Sequence, residues 1–88
     1  MTWYQKKPRI VQAIRWTGKR DSLKDLRLSR QDEVLLTIDP DCSLLVETAE
    51  GRMKCPVGHY LIRGVEGELY PCAPRVFDQS YLHVGERL

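Results

Sequence analysis

The sequence predicts an α+β fold for this chain of 88 residues: a mostly antiparallel sheet of about six short strands, curled or barrel-like, with one short helix near residues 22–30. Two observations lead to this prediction. A single stretch has apolar residues at helical spacing, and the other apolar runs are short and rich in β-branched residues. The connections between those runs are also short and contain proline or glycine, which favours antiparallel pairing of neighbouring strands.

The first predicted strand covers residues 9–16, and its start is set by Pro8. Alternation along this stretch places Ile10, Ile14 and Trp16 on one side, as in a strand that is half buried. A polar turn follows the strand. The chain therefore enters the fold as a strand and reaches the helix after a short turn.

The predicted helix near residues 22–30 can be capped by Asp21 or by Ser22, and Asp25 stands three positions after Ser22, which is the spacing of a capping box. Leu23 and Leu26 are expected to face the core. The outer face of this segment carries basic residues, and its two interpretations are a solvated face and an anion-binding site. These basic residues are Lys19, Arg20, Lys24 and Arg27.

The rest of the chain is predicted to be a meander of short strands. Pro40 fits a type I turn and Gly51 fits a tight hairpin, so both connections are expected to be local. Pro74 is expected to open a short turn or a one-turn helix over residues 74–79. The predicted strands cover residues 33–38, 43–49, 52–55, 59–64, 67–71 and 80–84.

Charge is distributed unevenly along the chain, although the formal net charge is only +2. Residues 1–30 contain nine basic and two acidic residues, a balance of +7, whereas residues 31–88 contain five basic and ten acidic residues, a balance of −5. The two halves can neutralise each other after folding, pair across a head-to-tail interface, or present an anion-binding face. Mutual neutralisation is favoured, because dedicated nucleic-acid domains usually carry a larger positive charge.

Size and cysteine content predict a single small domain, residues 1–88, in a reducing cytoplasm. The cysteines Cys42, Cys55 and Cys72 are odd in number, and the first ten residues lack the apolar segment of a secretory signal. No apolar run approaches the roughly 20 residues of a membrane span, so no membrane association is expected. A small core of this kind is consistent with a homodimer.

Two blocks of sequence resemble a family of small phage and prophage proteins. Residues 4–18 match Y-x-K-K-P and a strand ending in W-x-G, and residues 50–81 match E-G-x-M followed by G-D-Y-I-I-x-G-V-x-G-E-x-Y-P-C-x-P-x-x-F and a closing tyrosine. His59 replaces the usual aspartate, and Leu69 stands where an aromatic residue is common. The family has no assigned activity, so the resemblance implies a bacteriophage origin and a host bacterial cytoplasm rather than a mechanism.

A metal or thiol site is the least favoured interpretation. Cys55 and His59 are four residues apart and Cys72 could approach them across a hairpin, but the fourth ligand of a zinc site has no recognisable position. A thiol nucleophile would require Cys72 to meet His59 or His83 as a base. No cofactor and no catalytic residue are predicted, and the glycines Gly64 and Gly67 lack the following helix that a phosphate loop requires.

The favoured interpretation is a non-enzymatic phage accessory protein that binds a host protein for host takeover or counter-defence. The candidate surface is the hairpin and sheet edge between residues 60 and 75, where aromatic residues and arginine supply the usual anchors. Glu68 is expected to bind either the backbone or Arg63 across the turn. The alternative function is a nucleotide or nucleic-acid binder that sequesters an anion. The residues predicted to bind the protein partner are Tyr60, Arg63, Glu68, Tyr70 and Arg75.

Overall fold

The computed structural model describes residues 1–5 and 7–85, and the strands in it form two three-stranded antiparallel sheets. The first sheet has the order β1-β5-β6 and the second has the order β2-β3-β4. This is an α+β arrangement with six strands, as predicted, but the described strands form no closed barrel. The elements are β1 (Gln12–Arg15), a 3₁₀ helix (Arg20–Leu26), α1 (Arg30–Val34), β2 (Leu36–Ile38), β3 (Leu44–Thr48), β4 (Gly51–Cys55), β5 (Tyr60–Arg63), β6 (Leu69–Cys72) and α2 (Pro74–Ser80).

The first sheet depends on a long-range pairing that the expected meander of neighbouring strands does not contain. β1 pairs with β5, and the entire second sheet lies between them in the chain. Backbone hydrogen bonds from Trp16 N to His59 O and from Gly58 N to Trp16 O extend this pairing beyond β1. Two sheets therefore form in place of one continuous curled sheet.

One hydrophobic core joins both sheets and the 3₁₀ helix. Trp16 lies fully buried in it, and its indole nitrogen donates a 2.7 Å hydrogen bond to the carbonyl oxygen of Cys42, so the buried polar atom is satisfied. β6 packs against both β3 and β4, which brings the first sheet onto the second. The core residues are Trp16, Leu23, Leu26, Leu36, Leu44, Val46, Cys55, Leu61 and Leu69.

The prediction of one short helix near residues 22–30 is confirmed only in part, because a 3₁₀ helix and α1 both occupy this region. The 3₁₀ helix ends at Leu26, and the backbone of the following Arg27 is left-handed with φ of 50°. Leu23 and Leu26 are buried as expected, since residues three apart share one side of a 3₁₀ helix. Reciprocal hydrogen bonds place the capping box at Ser29 and Asp32, where α1 begins.

Two predicted strand segments are also corrected. Glu33 and Val34 belong to α1, because the cap at Ser29 starts a helix there, and β2 begins only at Leu36. Residues 81–85 form no strand, and the predicted one-turn helix extends to the seven residues of α2. Pro74 fits the first turn of α2, where a missing N–H costs nothing.

Helix α2 and its flanking residues cover the face of the first sheet that points away from the common core. The ring of Tyr60 stacks on Phe77 with centroids 3.9 Å apart, and Phe77 stacks on Tyr81 at 5.0 Å. The hydroxyls of Tyr81 and Tyr70 are 3.2 Å apart and share a hydrogen bond. Ile62 lies on the same strand face as Tyr60 and is fully buried, so this sheet is covered on both sides.

Candidate functional site

A cavity lies between the β3–β4 hairpin and the start of β6, and we call it the intersheet groove. Its volume is about 650 Å³, within the range of about 300 to 1,000 Å³ typical of ligand sites. It lies where β6 contacts β3 and β4, beside the hairpin turn at Ala49 and Glu50. The groove is lined by Leu35, Glu47, Thr48, Ala49, Glu50, Met53, Glu68, Leu69 and Tyr70.

Three carboxylates lie along the groove, and only Glu47 has a basic partner among the residues that the structure describes. Glu47 forms an ion pair with Arg52 on the neighbouring strand. The Glu50 side chain is exposed and makes no hydrogen bond or ion pair with the described residues. Glu68 accepts a hydrogen bond of 3.1 Å from the backbone N–H of Glu66. The groove therefore presents uncompensated negative charge, which favours a cationic ligand.

The Glu68 carboxylate is positioned by the turn that connects β5 and β6. It lies against Gly64, so closely that a Cβ atom at that position would overlap the carboxylate. The turn itself is closed by hydrogen bonds from Gly64 N to Glu68 O and from Gly67 N to Gly64 O. Gly64 thus serves this carboxylate and not a phosphate loop.

The floor of the groove is apolar. Leu69 is buried beneath it, while Leu35 and Met53 remain more than one-third exposed. The hydroxyl of Tyr70 is hydrogen-bonded to that of Tyr81, which follows α2, and burial raises its pKa, so this group stays neutral. The thioether and aliphatic carbons of the floor supply contact area for a ligand without a reactive group.

The five residues predicted to bind a protein partner do not all lie at one site in the structure. Glu68 and Tyr70 line the intersheet groove. Tyr60 is stacked on Phe77 and has the Arg15 guanidinium 5.6 Å from its ring centre. Arg75 is exposed on α2 and is not among the groove residues.

Arg63 is committed to contacts inside the fold. Its guanidinium donates hydrogen bonds to the carbonyl oxygens of Leu26 and Gly67, both at 3.2 Å, and to the Asp32 carboxylate at 3.1 Å. Of the two partners expected for Glu68, the structure shows the backbone and not Arg63. A backbone hydrogen bond from Ser29 and the Arg63 guanidinium together hold the pKa of Asp32 below its usual range.

The cysteine candidates have the protonation state of buried thiols. Cys55 is fully buried, and its sulfur lies 3.5 Å from the carbonyl oxygen of Tyr60. Burial raises the pKa of Cys55 to about 11 and also raises that of Cys72, the reverse of what a nucleophilic thiol needs. His59 is half-buried, and residues 1–5 and 7–85 contain no cluster of three side chains able to hold a metal ion.

The four basic residues predicted for the outer face of the helix do not form one continuous surface, because the helix here is a 3₁₀ helix. Lys19, Arg20, Lys24 and Arg27 are all exposed, but only Arg20 and Lys24 line a second cavity of about 240 Å³. The Glu33 carboxylate lies in the same cavity, 3.7 Å from the Arg20 guanidinium. An acidic residue from α1 thus offsets part of the positive charge.

Most groove residues were absent from the candidates predicted from the sequence. The β3–β4 hairpin contributes Glu47, Glu50 and Met53, and the cap of α1 contributes Leu35. Together with β6, these segments form one surface from parts of the chain that are separated in sequence. No local sequence pattern joins them, because the groove results from packing β6 against the second sheet.

The chain was compared with known protein families, curated proteins and solved structures. No protein-family model, no curated protein and no solved structure matches the chain. In the part of the chain that the structure describes, no helix has the length and apolar character needed to cross a membrane.

Proposed function

We propose that this protein is a bacteriophage accessory protein that acts by binding a segment of a host protein in the bacterial cytoplasm. The observation that supports binding is the intersheet groove, with an apolar floor and uncompensated carboxylates. The phage origin is supported by the sequence resemblance of residues 4–18 and 50–81. The host segment that suits the groove contains a basic residue next to apolar ones.

The chemistry of the groove supports binding better than catalysis. The hydroxyl of Tyr70 is neutral and hydrogen-bonded to Tyr81. The groove lining contains no thiol or imidazole that could act as a nucleophile or base. An open groove with an apolar floor and a charged rim resembles the usual organisation of a protein-binding surface. Glu68 and Tyr70 retain the role assigned to them as partner-binding residues, now joined by Glu50 and Met53.

The test is affinity capture from a host lysate with three forms of the tagged chain. The groove variant is Glu50→Gln with Glu68→Gln, which removes charge while keeping side-chain size and the acceptor oxygen of residue 68. The matched control is Glu66→Gln, an exposed glutamate on the same turn that does not line the groove. We expect a protein retained by the wild type and the control to be retained about tenfold less by the groove variant. Equal retention by all three forms would overturn the proposal.

A second candidate is the binding of an anion such as a nucleotide, favoured by the small cavity at Arg20 and Lys24. Its partial occupation by Glu33 makes it the weaker candidate. Titration with a radiolabelled nucleotide at low and high salt tests it, because phosphate contacts weaken as ionic strength rises. Binding that is lost in Lys24→Gln and at high salt would support an anion site, and salt-independent binding would exclude one.

A further inference from the structure

Residues 1–5 and 7–10 form an arm that makes no side-chain hydrogen bond or ion pair with the described residues. Residues 1–5 and 7–10 lie outside any helix or strand, and all of them are exposed. Trp3 is 88% and Tyr4 is 91% exposed, values unusual for two adjacent aromatic residues. Lys7 and Arg9 follow them and form no ion pair with any described residue. The arm is therefore aromatic, basic and uncovered.

The intersheet groove has the complementary properties. Its floor is apolar where the arm offers Trp3 and Tyr4, and its rim is acidic at Glu50 and Glu68 where the arm offers Lys7 and Arg9. Within one chain the arm does not occupy the groove, since both aromatic residues remain almost fully exposed and no arm residue lines it. The arm chemistry also fits the type of segment proposed above for the host partner.

We propose that two copies of this chain form a dimer by exchanging their arms, each arm lying in the intersheet groove of the other copy. The exchange is reciprocal, so the assembly closes at two subunits. The aromatic residues of the two arms would bury about 600 to 1,000 Å² on the arm side alone. With a similar area from the grooves, the total reaches the roughly 1,200 Å² or more of a stable interface. This inference rests on the proposed function in one respect: the arm and the host segment use the same groove and therefore compete for it.

A charge-swap experiment tests the exchange on the purified full-length chain, without any host protein. One form contains Lys7→Glu with Arg9→Glu, which makes the arm acidic, and the other contains Glu50→Lys with Glu68→Lys, which makes the groove basic. Each form alone brings like charges together, whereas a mixture restores opposite charges at both grooves of a mixed dimer. Sedimentation velocity should show monomers for each form alone and dimers for the mixture.

The wild type should be a dimer, and Trp3→Ala with Tyr4→Ala should raise its dissociation constant at least about 30-fold, as expected for buried aromatic anchors. This double change leaves the folded core intact, because both side chains are exposed in the single chain. Val76→Ala, an exposed apolar change on α2, is the control that should remain dimeric.

A monomeric wild type, or a dimer unaffected by the arm substitutions, would overturn the exchange. So would a mixture of the two charge variants that stays monomeric. These outcomes are distinct from failure of the proposed function, because a chain can dimerise through its arms and still retain no host protein, or retain one as a monomer.

Discussion

The contacts of Arg63 predict a large loss of stability in Arg63→Met, which keeps the alkyl stem and removes the guanidinium. Three hydrogen bonds disappear, and hydrogen bonds from charged groups contribute about 1.5 to 3 kcal/mol each when well formed. Their lengths of 3.1–3.2 Å and a side chain that is 19% exposed place each near or below the low end of that range. We therefore expect the free energy of unfolding to fall by ~3 kcal/mol.

Urea denaturation followed by circular dichroism measures this loss directly, and thermal melting provides a second measurement. For a domain of this size ~3 kcal/mol corresponds to a decrease in Tm of about 12 to 24 °C. The control is Arg52→Met, which breaks an arginine–glutamate pair whose side chains are 62% and 44% exposed and should cost less than about 1 kcal/mol. A loss in Arg63→Met no larger than in this control would refute the view that Arg63 ties β5 to the 3₁₀ helix and α1.

Three further predictions follow from burial and charge. Because the pKa of Asp32 is lower in the folded state, its ionised carboxylate contributes stability that is complete above the unfolded pKa and is lost as pH falls through the folded pKa. Urea titrations below about pH 5 should show this loss of stability, and the loss should be smaller in Asp32→Asn. Trp16→Phe should lower the free energy of unfolding by ~2 to 3 kcal/mol, since it leaves a small cavity and removes the donor to the carbonyl of Cys42. Trp3→Phe should change the same free energy by less than ~0.5 kcal/mol. Brief alkylation at about pH 8, read by mass spectrometry, should modify exposed Cys42 and spare Cys55, and equal labelling of both would contradict the buried position of Cys55.

The local elements of the fold were largely predictable from the sequence, because turn residues and strand alternation act over a few positions. The hairpin at Gly51 and the burial of Leu23 and Leu26 are examples. The boundary between the two helices was not predictable from the sequence, since Ser22 and Ser29 both have an acidic residue three positions later. Only the hydrogen bonds show that Ser29 forms the capping box, while the Ser22 hydroxyl donates to Lys19 O.

The candidate site was predictable only where it coincides with the β5–β6 hairpin. Glu68 and Tyr70 were named because they stand in an unusual stretch of sequence. Glu50 and Met53 were not, because their relation to that hairpin arises from the packing of one sheet on another. Arg63 was named for the same hairpin, but its contact with Asp32 in α1 could not be predicted from that local stretch.

The pairing of β1 with β5 also bears on how the chain assembles during its synthesis. The second sheet is a local meander that can close as soon as β4 has left the ribosome. The segment before it, with Trp16 and the strand edge of β1, has no sheet partner until β5 emerges. We therefore expect β1 to gain its strand pairing only after the second sheet has formed, and nascent chains that end before β5 to lack the hydrogen bonds between Trp16 and residues 58 and 59.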